Sequence, residues 1–123
     1  MNRIKELRLV EIELFNYCNR KCEWCPNSFI DRTNIKKLNW NLFTKLIDEL
    51  ANNEYKGAIT FSRYNEPLSN IPLLNKAIIY IKEKMPYCKC VTNTNGDFIV
   101  DNTFSNLLID ELTIMDYDNI GAK

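Results

Sequence analysis

The sequence predicts an α/β fold with a mainly parallel sheet, built as part of a TIM-type barrel. Short apolar, β-branched segments alternate with segments of helical periodicity along the chain, which is the pattern of repeated βα units. Polar residues collect directly after the predicted strands. The chain has 123 residues, and a full barrel of eight units takes about 250, so we expect about four βα units, or half a barrel.

The composition is that of a globular protein without a charge bias. Hydrophobic residues make up 46% of the chain, and Lys+Arg and Asp+Glu number 16 each. No net field therefore attracts nucleic acid or an anionic membrane surface. The longest apolar runs are far shorter than the ~20 residues of a membrane span, and the N-terminal segment lacks the apolar core of a signal peptide. We expect a cytoplasmic protein with no nucleic-acid or membrane partner.

The first βα pair is predicted in residues 8–53. Residues 8–14 alternate apolar and polar side chains, as a strand does. Asn39 is a plausible N-cap, and an amphipathic helix over 39–53 is predicted from four apolar residues spaced three and four apart: Trp40, Phe43, Ile47 and Leu50. The connection between them has about two dozen residues, where about two to six are usual, which predicts a functional loop.

Three more strands and two more helices continue the alternation. The predicted strands are 57–62, 88–92 and 111–115, and the predicted helices are 71–85 and 101–110. Helices that join successive strands imply right-handed crossovers and parallel neighbours, in a doubly wound sheet or a barrel. The predicted order is β-α-β-α-β-α-β.

Polar residues follow all four predicted strands at their carboxyl ends. They are Asn16 and three cysteines after the first strand, residues 63–67 after the second, 93–96 after the third and 116–118 after the fourth. In parallel α/β folds the carboxyl ends of the strands meet at one face, and that face carries the site. We therefore expect the four segments to line one pocket.

Three of the five cysteines, Cys18, Cys22 and Cys25, lie within eight positions of a chain that contains no histidine. In a reducing cytosol, clustered cysteines indicate metal ligands or redox groups rather than disulfides. Structural zinc sites and ferredoxin clusters normally use four ligands. Three thiolates suit an iron-sulfur cluster with one iron open to another ligand. A zinc-stapled interaction module, with Cys88 or Cys90 as the fourth ligand, is an alternative.

The spacing Cys18-x3-Cys22-x2-Cys25 directly after a first strand resembles the hallmark of the radical S-adenosylmethionine (radical SAM) superfamily. The resemblance implies a 4Fe-4S cluster held through three irons, with S-adenosyl-L-methionine bound to the fourth. Trp24 stands where the family commonly has an aromatic residue near the adenine. The resemblance also implies that residues 1–123 are the N-terminal portion of a partial-barrel domain, with about four of the usual six βα units.

The segment after the second strand extends the resemblance. Residues 61–68, FSRYNEPL, are similar to the family's glutamate-containing segment, which implies that Glu66 meets the substrate ammonium through a charge-assisted hydrogen bond. Arg63 and Asn65 replace glycines of the family pattern. Asn tolerates a left-handed backbone, so Asn65 is a plausible replacement, whereas Arg63 is either a surface charge or a contact to a carboxylate.

The later strand ends match in part. Residues 93–96, NTNG, resemble the family's Thr-Asn-Gly stretch, which implies that Thr94 and Asn95 lie beside the cofactor. Of the family's Ser-x-Asp segment after the fourth strand, only Asp116 is retained. The glycine-rich segment of a fifth strand is absent from these residues, and no helix follows the fourth strand. We therefore expect a truncated portion, whose sheet is completed by further chain or by a partner.

By this resemblance the protein is an enzyme. An electron from a flavodoxin or ferredoxin would cleave S-adenosyl-L-methionine to methionine and a 5'-deoxyadenosyl radical, which abstracts hydrogen from a substrate. The Glu66-Pro67-Leu68 form of the second motif resembles peptide-modifying members with a C-terminal SPASM-type extension, which favours a peptide or protein substrate over a small molecule. An inactive or accessory cluster-binding fragment is the other alternative. Cys88 and Cys90, two apart on one strand, are expected to be buried structural thiols.

Overall fold

A computed structural model of the protein describes residues 3–18, 36–62, 65–100 and 103–115. Strands and α-helices alternate through these ranges in the order β1 (Leu9–Glu11), α1 (Trp40–Asn52), β2 (Ala58–Thr60), α2 (Ile71–Lys84), β3 (Cys90–Thr94), α3 (Thr103–Asn106) and β4 (Glu111–Ile114). This confirms the predicted order. Two 3-10 helices that the sequence did not predict lie at Ile4–Glu6 and Pro67–Asn70. In the described ranges no helix combines the length and apolar character needed to cross a bilayer.

The strands form one parallel sheet in the order β1-β2-β3-β4. Val10 pairs with Ile59, Ile59 pairs with Cys90, and Thr92 pairs with Leu112. Right-handed crossovers between sequential neighbours place successive helices on the same face of the sheet, as in a barrel wall. A doubly wound sheet would instead reverse its strand order at a switch point. The strand order therefore confirms the partial-barrel prediction.

The core lies between one face of the sheet and the helices. Its buried side chains from α1 are Phe43, Ile47 and Leu50, those from α2 are Leu74, Ala77, Ile78 and Ile81, and those from the sheet region include Ile59, Phe61 and Cys90. The apolar face predicted for the first helix is thus the buried one. Trp40 is only half-buried and stacks on Phe43 with ring centroids 5.0 Å apart.

Helix α1 begins where the sequence predicts. The Asn39 side chain accepts hydrogen bonds from the N–H groups of Asn41 and Leu42, at 2.8 and 3.3 Å, so Asn39 is the N-cap. Helix α2 has a similar cap, because Asn70 Oδ1 accepts from Leu73 N–H at 3.2 Å.

The predicted extent of the third helix, 101–110, is wrong. Within the described residues the helix ends at Asn106, because the amide of Asn75 on α2 holds the chain there. Asn75 Nδ2 donates to the Asn106 carbonyl at 2.6 Å, and Leu108 N–H donates to Asn75 Oδ1 at 3.0 Å. These bonds satisfy backbone groups that a longer helix would pair internally.

The predicted third strand, 88–92, lies two residues too early. The strand begins at Cys90 and continues to Thr94. Cys88 N–H instead donates to the Met85 carbonyl at 3.0 Å in the turn after α2. The apolar pattern of the segment predicted a strand, but this turn determined where it starts.

Asp110 joins the amino ends of β3 and β4. Its Oδ2 accepts from Cys90 N–H and from Lys82 Nζ, both at 2.7 Å, and Asp110 N–H donates to the Cys90 carbonyl at 2.9 Å. Burial raises the pKa of the Asp110 carboxyl, but the hydrogen bonds from Cys90 and Lys82 outweigh burial, so the pKa lies below its ordinary value.

Replacing Asp110 by Asn is expected to lower the free energy of unfolding by about 1 kcal/mol near neutral pH. The amide keeps an acceptor for Cys90 N–H but loses the charge that holds Lys82, in a partly solvated position. Since the folded-state pKa of Asp110 is depressed, its contribution is complete above the unfolded carboxyl pKa of about 3.9 and disappears as the pH falls through the folded value. Urea unfolding at about pH 7 and about pH 2.5 measures this. An equal difference between wild type and variant at both pH values would contradict it.

Candidate active site

The two faces of the sheet differ in chemistry. One face packs on α1 and α2, whereas the other carries several polar side chains toward the carboxyl ends of the strands. Glu11 pairs in register with Thr60, and Asn93 pairs with Thr113. Ser62 Oγ accepts from Asn93 N–H at 3.2 Å and lies 3.4 Å from Thr60 Oγ1. This second face, which we call the polar face, suits a polar ligand better than an apolar packing layer.

The segments after β1, β2 and β3 come together at the carboxyl end of the sheet. Glu66 N–H donates to the Tyr17 carbonyl at 2.7 Å, which joins the second segment to the first. The Glu66 carboxylate accepts hydrogen bonds from Thr94 and Asn95, which joins the second segment to the third. Residues 116–118, predicted to be the fourth contributor, lie outside the described residues.

The carboxylate of Glu66 is buried and hydrogen-bonded on both oxygens. Glu66 is 2% exposed. Its Oε2 accepts from Leu68 N–H at 2.9 Å and Thr94 Oγ1 at 2.7 Å, and its Oε1 accepts from Asn95 N–H at 2.7 Å. Three donors offset the cost of removing this group from water. The sequence placed Glu66 in the site but gave no sign that its partners would be Thr94 and Asn95.

The two asparagines of the predicted site shape the backbone around this carboxylate. Asn65 is 8% exposed, and its Nδ2 donates to the Phe61 carbonyl at 3.2 Å. Asn95 Oδ1 accepts from Asp97 N–H at 3.0 Å. Gly96 has φ +84°, a left-handed conformation that favours glycine. The Asn-Gly pair thus forms the tight turn that its residue types favour.

Cys18 follows the end of β1 by seven residues and is half-buried, next to Tyr17 in the chain. The chain before it is held against the chain before α1: Asn16 N–H donates to the Lys36 carbonyl at 3.1 Å, and Asn16 Oδ1 accepts from Lys36 N–H at 2.6 Å. An antiparallel bridge between Phe15 and Lys37 adds to this contact. The long cysteine loop is therefore closed at its base. The alternating pattern of residues 8–14 gave no sign of this pairing with residues 36 and 37.

Several predicted site residues cannot be placed in this geometry, because they lie outside the described residues: Cys22, Trp24, Cys25, Arg63 and Asp116. The site that can be described contains Cys18, Asn65, Glu66, Thr94 and Asn95. The donor set of the motif, three thiolates and no imidazole, fits an iron-sulfur cluster by its chemistry.

Cys88 and Cys90 are 1% and 0% exposed, which confirms their predicted burial. Cys88 Sγ donates to the Gly57 carbonyl at 3.5 Å, and a hydrogen bond with Cys88 together with burial raises the pKa of the Cys90 thiol. Cys90 begins β3, whereas Cys18 follows the end of the parallel strand β1, so the two lie at opposite ends of the sheet. In the described part of the chain, no three His, Cys, Asp or Glu residues could hold a metal ion. Cys22 and Cys25, which the zinc alternative also requires, lie outside the described residues.

The sequence of the chain is similar to that of an S-adenosyl-L-methionine-dependent enzyme. No family model matches it. The chain is 31% identical over 124 residues to the S-adenosyl-L-methionine-dependent 2-deoxy-scyllo-inosamine dehydrogenase of Niallia circulans. The match covers 97% of this chain and 48% of that enzyme.

The fold of the chain is similar to the fold of solved structures of BtrN. A crystal structure of BtrN in complex with AdoMet and 2-DOIA matches with a TM-score of 0.78 and 28% identity, over 89% of this chain and 46% of that chain. A crystal structure of BtrN in an open conformation matches with a TM-score of 0.75 and 27% identity, over 88% and 49% of the two chains. The chain spans about half the length of these relatives. These likenesses confirm the fold class and show that the chain is similar to part of an S-adenosyl-L-methionine-dependent enzyme.

Proposed function

We propose that this protein is a radical SAM enzyme in which Cys18, Cys22 and Cys25 ligate a 4Fe-4S cluster, and S-adenosyl-L-methionine binds beside it. The observation that carries the proposal is the position of Cys18. It follows Tyr17, whose carbonyl accepts a hydrogen bond from Glu66 N–H, and the Glu66 carboxylate accepts one from Thr94 Oγ1. When bound, the cluster and S-adenosyl-L-methionine would supply reductive cleavage to a 5'-deoxyadenosyl radical. The electron would come from a flavodoxin or ferredoxin.

The protein's own residues position these groups. Two hydrogen bonds between Asn16 and Lys36 join the two ends of the segment that contains the cysteine motif. Asn65 and Asn95 lie in the segments after β2 and β3, where they are proposed to contact the cofactor. Trp24 beside the adenine and Asp116 after β4 complete the proposed binding site.

We propose a small polar molecule rather than a peptide as substrate. The polar face offers carboxylate, hydroxyl and amide groups, which suit a hydroxylated amine, and the relative from Niallia circulans is named for such a compound. The peptide alternative depended on the Glu66-Pro67-Leu68 form of the second motif and its likeness to members with a SPASM-type extension. Pro67 and Leu68 are buried, so packing suffices to account for this segment.

Anaerobic turnover tests the proposal. Iron-reconstituted protein, supplied with S-adenosyl-L-methionine and dithionite, is expected to bind about four irons per chain and to form 5'-deoxyadenosine and methionine. 2-Deoxy-scyllo-inosamine is expected to raise the rate of 5'-deoxyadenosine formation more than a peptide mixture does. A peptide-specific increase would overturn the substrate proposal. Bound iron without any 5'-deoxyadenosine would favour an accessory fragment, and tight zinc binding without iron would favour the zinc module.

A further inference from the structure

Glu66 links three strand ends through separate atoms. Its backbone N–H bonds the Tyr17 carbonyl at 2.7 Å, one residue before Cys18. Its carboxylate bonds Thr94 Oγ1 and Asn95 N–H, each at 2.7 Å. The segment that starts the cysteine loop and the segment that ends β3 are therefore held at a fixed spacing by one residue of the intervening segment.

The position of Glu66 is itself fixed by the chain that follows it. Glu66 is the N-cap of the 3-10 helix Pro67–Asn70, and its Oε2 accepts from Leu68 N–H at 2.9 Å. Ser69 Oγ donates to the Glu66 carbonyl at 2.8 Å. Leu68 is buried in the core at 2% exposure. A carboxylate held this way has little freedom to turn toward a ligand.

We infer that Glu66 and Thr94 are positioning residues that set the Thr94–Asn95 backbone relative to Cys18, and that Glu66 does not itself bind a ligand ammonium. The inference rests on the proposed function. A ligand that must reach both an iron on the cysteine loop and the turn after β3 binds best when the two are already correctly spaced. The carboxylate of Glu66 supplies that spacing while its oxygens accept protein donors.

Thr94 is the residue through which this link can be tested. Its hydroxyl donates to Glu66 Oε2 and accepts from Gly96 N–H at 3.2 Å. Thr94→Val keeps the volume of the side chain but removes both bonds, whereas Thr94→Ser keeps the hydroxyl. Thr92→Val is a matched control, because Thr92 lies on the same face of β3, is also 2% exposed and makes only a 3.5 Å hydrogen bond to the Asn93 carbonyl among its described contacts.

The experiment measures iron content and S-adenosyl-L-methionine affinity in the reconstituted full chain. Spectral titration gives the dissociation constant, and electron paramagnetic resonance of the reduced cluster reports whether the ligand reaches the iron. Thr94→Val is expected to keep its iron but to bind S-adenosyl-L-methionine about 10- to 100-fold more weakly, as a lost hydrogen bond to a carboxylate implies. Thr94→Ser should restore affinity to within about threefold of wild type, and Thr92→Val should match wild type.

A double-mutant cycle with Glu66→Gln separates positioning from direct contact. In Glu66→Gln the side-chain NH₂ cannot accept a hydrogen bond and replaces one carboxylate oxygen, so this variant also loses part of the link between residue 66 and the Thr94–Asn95 segment. If Glu66 acts through Thr94, the double variant binds little worse than either single variant. If Glu66 contacts the ammonium directly, the two losses multiply, and that result overturns the inference.

The controls keep the inference distinct from the proposed function. Wild-type protein whose cluster spectrum does not change with S-adenosyl-L-methionine would overturn the proposed function. A normal wild-type response with equal affinities for Thr94→Val and Thr92→Val would overturn the inference alone. If Thr94→Val loses its iron, Glu66→Gln provides the test, and wild-type affinity in that variant overturns the inference.

Discussion

Replacing Cys18 by Ala is expected to abolish both iron binding and the formation of 5'-deoxyadenosine. A cluster held by three thiolates has no spare ligand, and the described surroundings of Cys18 offer no histidine and no second cysteine. The same result is expected for Cys22→Ala and Cys25→Ala. Iron analysis after anaerobic reconstitution measures this directly. Full iron content in any of the three variants would contradict the proposed ligand set.

Cys90→Ala is the matched control for this experiment. Cys90 is a buried thiol at the amino end of β3, at the opposite end of the sheet from Cys18. Its loss is expected to leave the iron content unchanged and to lower the free energy of unfolding by about 1 kcal/mol, because a small cavity replaces the sulfur. Loss of iron from Cys90→Ala would show that Cys90 also takes part in metal binding and would contradict the three-ligand set.

Replacing Gly57 by Ala is expected to lower the free energy of unfolding by about 3 kcal/mol. A Cβ there would lie 2.5 Å from the Arg8 carbonyl oxygen and would overlap the Tyr55 hydroxyl. Neither group can move easily, because Arg8 O accepts from Ala58 N–H at 2.9 Å and the fully buried Tyr55 donates to the Ala58 carbonyl. Since β1 and β2 meet here, a shift would also disturb the pairing of these two strands.

Urea unfolding of Gly57→Ala beside Gly96→Ala separates steric overlap from backbone strain. The nearest atom to a Cβ on Gly96 would be Ile114 Cγ2 at 3.4 Å, so the site has room, but its φ of +84° is unfavourable for alanine. That strain costs about 1 kcal/mol. Equal stabilities of the two variants would contradict the close approach of β1 and β2 at Gly57.

The candidate site was predictable only in its residue types. Cys18, Glu66 and Thr94 stand at fixed places in recognisable segments, and parallel topology requires the segments to converge. Their mutual contacts were not predictable. The Thr94 to Glu66 hydrogen bond joins residues 28 positions apart, and the sequence placed both beside the cofactor rather than beside each other. No local pattern indicates which polar side chains bond one another.

The order of strands and helices, the cap at Asn39 and the three-cysteine motif could all be identified from the amino-acid sequence. Each of these depends on periodicity, on a capping residue or on short spacing, all of which operate within a few residues. Three features became visible only in the folded chain: the end of α3 at Asn106, where Asn75 binds the backbone, the pairing of Asn16 with Lys36, and the hydrogen bonds of Glu66. These features depend on hydrogen bonds between distant segments, whose partners are selected when the sheet assembles and brings them into reach.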